Sequence, residues 1–131
     1  YRCAVGYVGV YDLEALHRDR SRAARWMRTW SDEWMGTRET LAARSPVNLA
    51  AAIKAPVFLV AGGEDRVAPL SQSKAMERAL RRAGTVETYY VPTEGHGFYR
   101  EAHRRAYYVR LLDFLSRYLG GAKAAVHAAR E

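Results

Sequence analysis

The 131-residue chain has a single cysteine, Cys3, so no internal disulfide can staple it. It has no apolar run approaching the ~20 residues needed to span a bilayer, and no membrane-crossing segment is expected. Lysine is scarce, with only Lys54, Lys74 and Lys123 among 21 basic residues. No H-E-x-x-H pair or Cys/His cluster is present, which argues against a zinc site. Gly62 and Gly63 fit neither a G-x-G-x-x-G nor a P-loop pattern, so no cofactor is expected.

What is present reads as one globular domain, because 49% of the residues are hydrophobic and 27% are charged. The formal charge is +7 and most of the cations are arginines, a bias that can mark nucleic-acid binding. Asp and Glu interleave with the arginines along several helical segments, however, which predicts solvated faces and no nucleic-acid partner. A non-catalytic basic interaction module remains the reading from another functional class. Cys3 lies in an apolar strand with no neighbouring base and is expected to pack, not react. His17, His103 and His127 have no partner spacing for metal binding or catalysis and read as helix-surface residues.

The hydrophobic pattern gives a coarse order of elements. Residues 3–10 are small and β-branched and suit a buried strand. Residues 12–35 read as a helix with Asp12 as N-cap, apolar residues at three- and four-residue steps, and Gly36 as terminator. Val57–Ala61 is apolar on both faces, as in a central parallel strand. A helix over 70–83 is expected to be capped by Ser71 or Ser73 and stopped by Gly84, with Met76 inside. Residues 86–91 form a third strand, more polar and therefore nearer a sheet edge. A last helix, 101–119, is expected to present Tyr108, Leu111, Leu112, Leu115 and Leu119 on one face. This order predicts an α/β fold with parallel strands and helices on both faces.

The strongest chemical signal is Val-Pro-Thr-Glu-Gly-His-Gly-Phe at 91–98. Gly95 and Gly97 flank His96, and their lack of Cβ lets the chain turn and leave an imidazole uncovered. Asp65 follows the preceding strand in Gly62-Gly63-Glu64-Asp65-Arg66, 31 positions earlier. Loops at the carboxyl ends of parallel strands converge, so Asp65 and His96 are expected to meet. A carboxylate accepting from a histidine ring N–H is two-thirds of an acyl-transfer triad. The serines at 21, 31, 45, 71, 73 and 116 sit in no G-x-S-x-G turn, so the nucleophile is expected outside this chain. An elbow followed by an average helix of ~11–12 residues and ordinary loops would lie about 20 residues before Tyr1.

Residues Ile53–Asp65, Pro69 and Glu94-Gly95-His96-Gly97-Phe98 resemble the carboxyl-terminal part of the prolyl oligopeptidase family of serine peptidases. The resemblance implies an α/β-hydrolase fold over residues 1–121, followed by an Ala-rich tail at 122–131. It implies Asp65 as triad acid and His96 as triad base, with a short peptide as substrate. It also implies that Trp30, Trp34 and Val67 line the substrate pocket, although the three tryptophans 26, 30 and 34 also fit plain helix packing. The family often shows Asp-x-Arg-Val-Pro, whereas Arg66 and Val67 follow Asp65 directly here, so Arg66 reads as a surface arginine. The family's amino-terminal β-propeller and the rest of the catalytic domain are the intramolecular partners implied. Without them the chain is expected to be inactive and to self-associate. An esterase or dienelactone-type hydrolase is the second enzymatic reading, since acid and histidine loops recur across that fold.

Overall fold

The computed structural model describes residues 1–23, 29 and 32–121. Strands β1 (Ala4–Tyr7), β2 (Val57–Gly62) and β3 (Val86–Val91) form a parallel sheet in the order β1-β2-β3. Ala4 pairs with Val57 and Val57 with Val86, and the ladder runs without a slip to Gly62 and Val91. The six residues of β2 are all buried, as its apolar run predicts for a central strand. The more polar β3 lies at the end of the described sheet.

Alternation along β2 divides the core in two. Val57 and Leu59 face Tyr11, Ala50, Met76 and Leu80, whereas Phe58 and Val60 face Val91, Phe98 and Phe114. Each fully buried aliphatic or aromatic side chain contributes roughly 1.5–3 kcal/mol, which makes β2 the axis of the domain. The first face is covered by helices α3 (Pro46–Leu49, continued as a 3-10 turn at Ala50–Ala52) and α4 (Leu70–Leu80), the second by α5 (Glu101–Leu119). Helices therefore pack on both sides, giving the α/β architecture. Cys3 is half-buried against the Phe114 cluster.

Helix α1 (Leu13–Ala23) begins where expected, with Asp12 Oδ1 accepting the Ala15 N–H at 2.9 Å. Residues 32–35 are again helical, and Gly36 closes that stretch at φ +100°. Helix α2 (Arg38–Arg44) follows.

Three expectations are corrected. The first strand spans only Ala4–Tyr7 of the expected 3–10, and Ala4 and Val5 are exposed on the outer edge of the described sheet. Neither Ser71 nor Ser73 caps α4: Pro69 holds the N-cap position at φ −51°, the Gln72 N–H bonds its carbonyl, and Ser73 is buried. The helix ends at Leu80, with Gly84 N–H on the Leu80 carbonyl. In α5 the inward stripe is Tyr107, Leu111, Phe114, Leu115 and Tyr118, whereas Tyr108, Leu112 and Leu119 are exposed. Rings, not leucines, set that face: Phe114 lies 5.5 Å from Phe58 and 5.0 Å from Tyr118, centroid to centroid.

Candidate active site

The site is built where the turns after β2 and β3 pass each other. Gly63 N–H donates to Val91 O at 2.8 Å and Glu64 N–H to Glu94 O at 2.9 Å, so backbone bonds lash the two turns together. The approach leaves no room for side chains. A Cβ on Gly62 would run into the carbonyls of Glu94 and Gly95, and one on Gly63 into that of Pro92.

This contact delivers Asp65 beside His96. The Asp65 side chain is fully buried; Oδ1 accepts the N–H groups of Val67 and Ala68, both at 2.8 Å, and Oδ2 faces His96 Nδ1 at 2.9 Å. Two backbone donors fix the carboxylate before the imidazole arrives, so its orientation does not depend on the histidine. An ionised carboxylate only accepts, which assigns the Nδ1 proton to the ring and leaves Nε2 as the basic nitrogen.

His96 is the centre of a three-residue turn in which Gly97 N–H bonds Gly95 O at 2.9 Å. Gly97 adopts φ +125°, a conformation closed to L side chains, while a Cβ on Gly95 would meet nothing within 4 Å. Of the two flanking glycines, only Gly97 is required by the backbone. The turn holds the ring 43% exposed above a buried acid.

A second carboxylate–imidazole pair ties the same loop to α5. Glu94 is 2% exposed and accepts from Tyr99 N–H at 2.8 Å, Arg100 N–H at 3.0 Å and His103 Nδ1 at 2.7 Å. These donors, Tyr99 N–H foremost, hold its carboxyl down at about 2, against an ordinary 4.5. Tyr7, the last residue of β1, accepts the Phe98 N–H at 2.8 Å, and burial raises its phenol above the usual tyrosine range.

His103, expected as a helix-surface histidine, is instead part-buried on α5, where Glu94, nine residues earlier, reaches it from the other end of the loop. His17 lies on α1, its Nε2 2.7 Å from Asp32 Oδ1 in an exposed contact. His127 and Trp30 lie outside the described residues. Trp34 is 75% exposed rather than packed into a helix interface, and Val67, two positions from Asp65, is 47% exposed. Arg66 and Glu64 are also exposed. Ser45 is buried, its Oγ accepting Leu13 N–H and donating to Leu41 O. Among the described residues no three His, Cys, Asp or Glu side chains are grouped to hold a metal ion.

Comparison with known proteins bears on the family and the fold. The model of the prolyl oligopeptidase family matches residues 1–122. A protein of Salmonella typhimurium named "Putative carboxymethylenebutenolidase" is 30% identical over 119 residues, which cover 85% of this chain and 43% of that protein. Dipeptidyl aminopeptidase BIII of Pseudoxanthomonas mexicana is 33% identical over 82 residues, covering 62% of this chain and 12% of the enzyme. The solved acylaminoacyl peptidase of Pyrococcus horikoshii superposes with a TM-score of 0.78 at 20% identity, covering 99% of this chain and 22% of that structure. The chain thus spans less than half the length of these relatives. With its parallel α/β sheet and the match over residues 1–122, the chain belongs to the prolyl oligopeptidase family, a family of hydrolases.

Proposed function

We propose that the chain supplies the acid and the base of a serine peptidase that cleaves short peptides by acyl transfer. The observation that carries this reading is the 2.9 Å contact between a fully buried Asp65 carboxylate and Nδ1 of a half-exposed His96. Nε2 takes the proton of an attacking serine hydroxyl, the resulting imidazolium is stabilised by Asp65, and the same proton passes to the leaving amine. The serine and the oxyanion-hole amides come from a segment of the parent protein outside this chain, so the 131-residue polypeptide alone is inactive. The exposed Trp34 and Val67 are assigned to contacts with the residue before the scissile bond, favouring flat apolar or proline-like side chains.

A serine-directed fluorophosphonate probe tests the reading. The parent protein is labelled, His96→Ala abolishes labelling, and the 131-residue chain takes up none. Normal labelling of His96→Ala ends the proposal. A second reading, an ester hydrolase, is favoured by the match to the Salmonella protein over 85% of the chain. Turnover of acylaminoacyl or dipeptidyl anilides against that of a lactone ester separates the two.

A further inference from the structure

We infer that Tyr7 and Glu94 are positioning residues for His96, acting as a two-point clamp on the backbone that follows it. The inference rests on the triad reading above. Three consecutive amides leave the His96-Gly97 turn, and two side chains take all three. Phe98 N–H goes to Tyr7 Oη at 2.8 Å, Tyr99 N–H to Glu94 Oε2 at 2.8 Å and Arg100 N–H to Glu94 Oε1 at 3.0 Å.

Both clamp points are themselves fixed. The Tyr7 ring stacks on Tyr107 at 4.8 Å and meets Phe98 edge-on at 5.5 Å, so its hydroxyl has one place to be. Glu94 is buried, and His103 on the first turn of α5 shares its Oε1. The clamp thus references the loop to β1, two strands away, and to α5 at once.

The His96 turn needs such a reference. A Cβ would have open space at Gly95, and the imidazole is 43% exposed with Asp65 as its hydrogen-bond partner. The flanking glycines lend the turn freedom, not rigidity. A displacement of about 1 Å in an acid/base group costs on the order of 10²-fold in rate, so distant amide contacts translate into catalysis.

The test uses Tyr7→Phe, which keeps the ring and removes one acceptor, and Glu94→Gln, which keeps the shape and replaces an acceptor with a donor. In the parent protein each is expected to lower the fluorophosphonate acylation rate and kcat about 10–100-fold, with KM within about twofold. The double variant loses much less than the product of the two, because one loop is released in either case. In the 131-residue chain, the nitrogen resonances of the His96 ring move from a single tautomer toward a mixture in both variants. Met76→Ala, in the opposite core, lowers thermal stability yet leaves the acylation rate and the His96 resonances unchanged. Wild-type acylation and an unchanged ring in Tyr7→Phe and Glu94→Gln, or effects matched by Met76→Ala, overturn the clamp. Normal labelling of His96→Ala ends the triad reading instead, and the ring resonances then decide the clamp by themselves.

Discussion

Gly62 and Gly95 lie on the two sides of the same backbone contact and make opposite predictions. Gly62→Ala places a methyl group against two carbonyls of the histidine loop and should separate the turns, costing several kcal/mol, within the range of severe backbone clashes. Gly95→Ala meets open space and should change stability by less than about 1 kcal/mol. Thermal unfolding of the two variants checks both. Asp65→Asn keeps the size but can offer an N–H to Nδ1, favouring the wrong tautomer. On the proposed triad, acylation by a fluorophosphonate should fall by about 10⁴-fold, with the fold intact by circular dichroism. Asp65 and His96 were legible in the sequence because each follows a strand-like run and has glycines close by. Glu94, Tyr7 and His103 were not, since their significance lies in which backbone amides they reach. Tyr7 and Phe98 are 91 positions apart, and no local pattern announces that contact.

Among the elements, α5 ties stability to the site. Its one fully buried ring, Phe114, packs on Phe58, and Phe114→Ala should cost about 3–5 kcal/mol, measured by denaturant unfolding. The start of the helix is pH-sensitive through Glu94. A carboxyl held at about 2 in the folded chain, against 4.5 ordinarily, stabilises that chain fully above about 4.5 and ceases to do so as the pH falls toward 2. Amides 99 and 100 should lose hydrogen-exchange protection over that interval, and Glu94→Gln should remove the dependence. The extent of α5, the burial of β2 and the Asp12 cap were readable because period, composition and cap chemistry are local. The inward face of α5 was not. Tyrosines and leucines fall as neighbouring pairs at 107–108, 111–112 and 118–119, one member on each face, and only Phe58 and Val60 on the far side decide which stripe turns in. The start of α4 escaped for a related reason, since Pro69 pre-sets the turn that a serine cap otherwise makes.

For the molecule as a whole, the described sheet leaves the outer edge of β1 unpaired, with Val5 exposed beside it. An apolar hollow of about 200 Å³ lined by Val5, Gly6, Val10 and Ile53 opens on the same side. Beneath it Tyr11 is buried, its phenol raised to about 12 by burial and its hydroxyl without a partner among the described residues. Tyr108, Leu112 and Leu119 add exposed apolar surface elsewhere. An open strand edge and uncovered apolar groups favour pairing with another chain, so the 131-residue polypeptide should sediment as dimers or larger species. A stable monomer contradicts this. The +7 charge is partly met internally, with Arg117 on Glu87 at 2.7 Å and Arg81 on Glu77 at 2.6 Å, and no retention on nucleic acid is expected at physiological ionic strength. Finally, the loops that carry Asp65 and His96 leave one and the same rung, Gly62 paired with Val91, and are joined just beyond it through Gly63 and Glu64. Drawing the two strand stems apart means unzipping the most buried strand of the molecule, so any loss of the acid–base pair by that route coincides with melting of the domain.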